Sequence, residues 1–304
     1  MTSLQEIQDY RDHPNISQSE LKGILGKGSL TKPSLSMLLG NYLDVHLLTP
    51  HLQDELFIVW NGVRPTQTIV DMCDSLYNWI DSGLLLVDVK PDLNTYRDEI
   101  EQWIETQSYY SNRPNTRVNK FIEEAKDWWD ILTRKGDKQI ITGIEQTITE
   151  LITLRLLNDY ELEWLWKGEF QKPFYWTEEE IGCKGLGDIL TPNCYVDLKF
   201  TTCRNLDEWW KICANLNYPF QMAFYKSGLK VDKCKWLVVS NDWHQLVDVT
   251  EIQFQIGKWG YSKTQKIKVG KVEFEVEKKT PGYMDGLEMI KGKNVNNDPY
   301  LNAI

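Results

Sequence analysis

An α/β fold is what this sequence predicts, and three features carry the prediction. Thr142-Gly143-Ile144-Glu145 is a capping-box pattern, opening a helix that has Ile148, Leu151, Ile152 and Leu156 at helical spacing. Five strand-like runs follow: Gln171 to Trp176, Cys183 to Leu190, Cys194 to Phe200, Cys234 to Ser240 and Gln245 to Val249. A helical stretch carrying Trp209, Trp210, Ile212 and Leu216, and continuing after Pro219 through Phe220 to Tyr225, separates the third run from the fourth. Helix, three strands, helix, two strands is the order of an α/β core.

Ahead of that core, about the first 125 residues read as mainly helical. Ser17 followed three residues later by Glu20 is a capping box for a short helix ending near Gly26. A second helix is expected from Pro33 to Leu48, with proline in its first turn and Pro50 beyond its end. Phe57 to Trp60 reads as a strand, Thr66 to Ile80 and Tyr96 to Gln107 as amphipathic stretches, and the polar segment Ser108 to Thr116 as a loop. Past the core, Gly257 to Thr280 holds seven Lys against three Glu. It reads first as a solvated strand pair with lysines along its edges, and second as a track for DNA. The expected organisation is a helical region over 1–125 packed on the core, the core itself over 126–250, and a strand-rich C-terminal extension over 251–304.

Composition limits the function. A chain of 304 residues, 41% hydrophobic and 26% charged, is globular and long enough for a substantial core. A formal charge of -10 argues against a protein that coats nucleic acid through uniform basicity, yet it leaves room for acidic metal ligands beside a local basic track. The 13 Trp read as core residues before they read as base-stacking platforms. Six cysteines without a C-x-x-C pair or a preceding secretory signal point to a reducing compartment. No apolar run approaches the ~20 residues of a membrane span. The expectation is a cytoplasmic protein with no membrane partner.

The chemistry concentrates in two adjacent strands. Asp188 lies near the end of one and Asp197-Leu198-Lys199 in the next, across the short turn Thr191-Pro192-Asn193. Alternation along a strand points Asp197 and Lys199 to one face, and a hairpin brings Asp188 beside them. Two carboxylates and a backbone carbonyl, that of Leu198, suit a hard cation such as Mg²⁺ or Mn²⁺. The lysine ammonium can orient or help deprotonate an attacking water and offset charge on a phosphate. By itself D-x-K is unspecific and usually marks a surface salt bridge; the preceding carboxylate and the apolar flanks make it informative here. Gln221 and Tyr225 stand at i and i+4 on one helical face, where an amide and a phenol can hold the lysine or a phosphate. The bland reading of that pair is a helix edge.

Gly185-Leu186-Gly187-Asp188-Ile189-Leu190, Val196-Asp197-Leu198-Lys199-Phe200-Thr201-Thr202 and Tyr218-Pro219-Phe220-Gln221-Met222-Ala223-Phe224-Tyr225 together resemble the RecB-like branch of the PD-(D/E)XK nucleases. Within that branch the nearest resemblance is to phage and prophage exonucleases of the exodeoxyribonuclease VIII (RecE) type. Ile16 to Leu21, Gly40-Asn41-Tyr42-Leu43-Asp44 and Gly136 to Thr142 extend the likeness over about residues 10 to 250. The resemblance implies a restriction-endonuclease-like core, a mixed central sheet flanked by helices. It also implies Mg²⁺- or Mn²⁺-dependent cleavage of DNA from linear duplex ends in phage recombination or replication, inside a bacterial host cell. Homo-oligomers and a single-strand annealing partner belong to the same picture.

Two positions depart from the family pattern. Where its helix carries a histidine this chain has Asp44, which reads equally as a metal ligand or a helix-surface carboxylate; His46 is turned off that face and reads as structural. On the first core strand the family tends to have a glutamate, and the chain offers Glu169 or Gln171. The alternative reading is a catalytically weak nuclease-fold protein that binds DNA or a recombination partner. A structural phage protein with a coincidental D-x-K is the more distant rival.

Overall fold

The computed structural model describes residues 2–26, 34–81, 92–107, 114–269 and 272–295. Contacts divide the chain into one unit of Met1–Leu52 with Thr149–Ile304 and a second of Gln53–Ile148. These boundaries fall elsewhere than 125/126 and 250/251, because the first 52 residues belong with the main sheet and the segment inserted after them builds its own core.

The chain begins with α1 (Leu4–Asp12), the two-residue strand β1 (Ile16–Ser17), α2 (Gln18–Ile24) and α3 (Leu35–Leu48). Ser17 caps α2 and Glu20 closes the box, as the spacing predicts. Ser34 caps α3; Pro33, expected in its first turn, lies outside the described residues.

The second unit holds α4 (Gln53–Leu56), β2 (Phe57–Trp60), α5 (Gln67–Asp81), α6 (Arg97–Gln107), α7 (Pro114–Leu132) and β3 (Gln139–Thr142). β2 and β3 pair in parallel, and Trp128, Trp129, Phe121 and Tyr96 lead its apolar core. The loop expected over Ser108 to Thr116 is corrected in part. Residues 108–113 lie outside the described set, and α7 already begins at Pro114, where proline in a first helical turn forfeits no hydrogen bond.

Next comes α8 (Gly143–Leu157), whose box is intact: Thr142 N–H donates to Glu145 Oε2 at 2.9 Å and Glu145 N–H to Thr142 Oγ1 at 3.3 Å. Its expected apolar face is corrected at one position. Ile152 and Leu156 are buried, but the helix buries Thr149 and Thr153 beside them and turns Leu151 to solvent.

The strands β4 (Glu169–Glu178), β5 (Ile181–Leu190), β6 (Cys194–Phe200), β7 (Lys233–Val239) and β8 (His244–Asp248) match the five predicted runs, with α9 (Leu206–Asn215) and α10 (Tyr218–Gly228) between β6 and β7. The expected single helix breaks at Asn217, which adopts a left-handed φ of 52°. The sheet order is β1-β5-β6-β7-β8, with β4 paired to β5. It is mixed: β1–β5 and β6–β7 are parallel, the other pairs antiparallel. A parallel β6–β7 pair needs a long crossover, and α9 and α10 supply it. Trp209, Trp236, Phe220, Phe224, Tyr225, Tyr195 and Tyr283 fill the core beneath, so the aromatic content is largely core.

The extension consists of α11 (Glu251–Trp259), β9 (Tyr261–Val269), β10 (Val272–Thr280) and α12 (Tyr283–Val295). β9 and β10 form the expected strand pair, with Lys266 in register with Glu275 and Lys268 with Glu273. The two flanking helices were not expected. Among the described residues no helix is long and apolar enough to cross a membrane.

Candidate active site

Sheet geometry makes the site. The β5–β6 ladder consists of Ile189 opposite Val196 and Leu190 opposite Tyr195, after which the strands diverge. In the gap, the Leu198 N–H is met by the Asp188 carboxylate, Oδ2 accepting at 2.8 Å. A strand residue sends its N–H and C=O to the same side, so the Leu198 carbonyl also faces the opening.

Asp197 is fully buried in β6. Its Oδ1 accepts from Gln221 Nε2 at 2.9 Å and from the Tyr195 hydroxyl at 3.2 Å. Its Oδ2 faces the Lys199 ammonium at 2.7 Å in an ion pair, yet that buried oxygen accepts no hydrogen bond of good geometry. Lys199 in turn lies over the Tyr218 ring, 5.1 Å from its centroid. Burial disfavours the ammonium, but the Asp197 and Asp188 carboxylates outweigh it and hold the Lys199 pKa above its ordinary value.

Asp188 takes a second donor, Gln171 Nε2, at 3.2 Å on Oδ1. Gln171 has φ 47°, a left-handed conformation uncommon for a residue with a side chain and of the kind that gathers at functional sites. The neighbouring register runs from Phe170 opposite Ile189 to Lys172 opposite Gly187, so Gln171 and Asp188 face each other across β4 and β5. Of the two residues offered on the first strand, Gln171 reaches the site, while Glu169 is exposed and paired with Lys172. Burial, reinforced by the Asp197 charge, pushes the Asp188 carboxyl up to about 7 against the opposing effects of Lys199, the Leu198 N–H and Gln171.

α3 packs against β6 at Gly40, where an added Cβ would meet Phe200 Cβ at 3.5 Å. Asp44 follows one turn later on the same face. It feels the charges of Asp188, Lys199 and Asp197, and burial first, then Asp188, raises its pKa well above the ordinary carboxylate range. His46 lies tilted against the Tyr42 ring, the centroids 5.9 Å apart.

The structure thus brings together Asp188, Asp197, Lys199, Gln221 and Asp44. Tyr225 is a correction. Rather than reaching the lysine or an exposed phosphate position, it is buried against Phe174, Tyr195 and Phe224, one turn beyond Gln221 where α10 packs on the aromatic core. Gly185 belongs to the same packing: a Cβ there would lie 2.3 Å from Phe174 Cζ. Two site residues escaped sequence reasoning. Tyr195 stands two residues before Asp197, so strand alternation already puts it on the face of Asp197; Tyr218 heads the segment that carries Gln221.

Among the described residues no group of three or more His, Cys, Asp and Glu is disposed to hold a metal ion. The donor set nevertheless fits a Mg²⁺-like cation, which usually takes one or two carboxylates and completes its shell with water. Asp197 Oδ2 is shared with the Lys199 ammonium, and Leu198, whose N–H meets Asp188, turns its carbonyl to the same opening.

Residues 15–240 match the model of a family described as "PDDEXK-like domain of unknown function (DUF3799)". No curated protein matches the chain. Among solved structures, a protein of Eubacterium rectale named "Putative exonuclease" is similar at 16% identity with a TM-score of 0.32; the match covers 59% of this chain and 65% of that one.

Proposed function

This chain belongs to the PDDEXK-like family DUF3799, and on that premise we propose that it is a metal-dependent deoxyribonuclease acting from the ends of linear duplex DNA. Its mixed central sheet flanked by helices is the restriction-endonuclease-like fold. One observation carries the reading of the site: Asp188 and the Asp197-Leu198-Lys199 segment meet where β5 and β6 part.

Asp188, Asp197 and the Leu198 carbonyl are the residues that would hold Mg²⁺ or Mn²⁺, with Asp44 as a further carboxylate in reach of the same field. Such an ion supplies charge that polarises a phosphoryl oxygen and acidifies water. The Lys199 ammonium stands beside Asp197, placed to hold the attacking water by hydrogen bonding and to offset negative charge on the phosphate. Gln221 orients Asp197, and Gln171 orients Asp188. Tyr225 supports the wall of aromatic rings behind them. The preference for ends rests on the resemblance to RecE-type exonucleases.

Digestion of linear and covalently closed duplex DNA with Mg²⁺ or Mn²⁺ tests this. Linear DNA should be consumed, closed circles spared, and Asp188→Ala should be inactive. Equal cutting of closed circles refutes the end preference, and no metal-dependent cutting of any DNA refutes the enzyme.

A further inference from the structure

We propose that Tyr195 is a positioning residue for cation binding: with Gln221 it pins Asp197 Oδ1, so that Oδ2 is the oxygen turned to the metal. This rests on the nuclease reading of the site.

The two oxygens of Asp197 are treated unequally. Oδ1 receives two neutral donors, one from the strand itself and one from α10, while Oδ2 has an ion pair and no well-formed hydrogen bond. A carboxylate free to rotate about its terminal torsion would exchange these roles, because that torsion is broad and two-fold. Gln221 alone is a weak restraint, since its side chain has several rotatable bonds. Tyr195 is a stiffer one. It is fully buried two residues upstream in β6, and its ring is 5.8 Å from that of Tyr225.

Packing does not explain the hydroxyl. A phenylalanine would fill the same space, whereas a buried hydroxyl is tolerated only when it is bonded, and its bond is to Asp197. Groups that orient a metal's ligands without touching the metal typically change its affinity by roughly 10- to 100-fold when removed.

The test is Mn²⁺ titration by calorimetry of the wild-type protein, Tyr195→Phe and Asp188→Ala, with thermal melting of each metal-free protein alongside. Tyr195→Phe retains every ring contact, so it should melt close to wild type and bind Mn²⁺ roughly tenfold more weakly. Its DNA digestion should need correspondingly more Mn²⁺ for half-maximal rate. Wild-type binding that is lost in Asp188→Ala but unchanged in Tyr195→Phe overturns this inference alone. A wild-type protein that binds no Mn²⁺ overturns the parent reading and the inference with it.

Discussion

The Lys199 ammonium lies 2.7 Å from Asp197 Oδ2, the carboxylate oxygen that the cation is proposed to use. The lysine therefore competes with a cation for that oxygen. Lys199→Ala removes both a competitor and a like charge. Mn²⁺ affinity should rise, while DNA turnover falls by roughly 10² or more, the scale of losing a charge-stabilising group. Lys199→Arg should rescue poorly, because a guanidinium is bulkier and rigidly planar. Near-normal digestion by both variants would reduce Lys199 to a structural salt bridge.

Gln171 invites the opposite manipulation. Its amide donates to Asp188 Oδ1 at 3.2 Å, so Gln171→Glu replaces a donor with a like charge on an already crowded carboxylate pair. The metal-free variant should melt below wild type. Added Mn²⁺ should raise its melting temperature by more than it raises the wild type's, since the cation relieves the repulsion. Equal shifts for the two proteins would place position 171 outside the cation's field.

Gly185 is where the Gly-Leu-Gly-Asp segment has least room. A Cβ 2.3 Å from Phe174 Cζ must push a ring that is itself set edge-on against Tyr225 at 5.3 Å. Gly185→Ala should cost about 1–3 kcal/mol, as overpacking of a filled core does. Phe174→Ala should relieve it, so the double variant should be no less stable than Phe174→Ala alone in denaturant unfolding. A Gly185→Ala protein as stable as wild type would count against this packing.

In the second unit, Arg64 grips Glu145 with Nε on Oε1 at 2.7 Å and Nη2 on Oε2 at 2.8 Å, and the same Nη2 donates to the Ile140 carbonyl. Burial opposes the Glu145 charge, but Arg64 and the Thr142 N–H prevail and hold its pKa below the ordinary 4.5. The stabilisation is therefore fully present above pH 4.5 and lost as pH falls through the lower folded value. Arg64→Ala should destabilise the protein by about 3 kcal/mol at neutral pH, the lower end for breaking a buried pair. Unfolding measured across pH should show that difference shrinking as pH falls and the Glu145 carboxylate is protonated. A gap independent of pH would mean that packing of Arg64 on Trp128, 4.9 Å from the ring centroid, carries the effect.

Local rules were enough to read much of this protein from its residues. The boxes at Ser17/Glu20 and Thr142/Glu145 depend on a spacing of three within one turn, and the common face of Asp197 and Lys199 depends on strand alternation. The hairpin that carries Asp188 to Leu198 needs only a short turn between two apolar runs. Contacts between distant segments obey no such spacing. That Gln171 rather than Glu169 meets Asp188 follows from a left-handed backbone at one residue of β4. Tyr225 lies inward because α10 packs on β4 and β5. Lys184 is buried with its ammonium donating to the carbonyls of Arg11 and His13, fastening the end of α1 across more than 170 residues of sequence. Asp44 joins the site only because α3 lies against β6 at Gly40. In each of these cases the partner is selected by shape and desolvation in the assembled core, where burial makes an unpaired polar group costly, and neither quantity exists until the chain has folded.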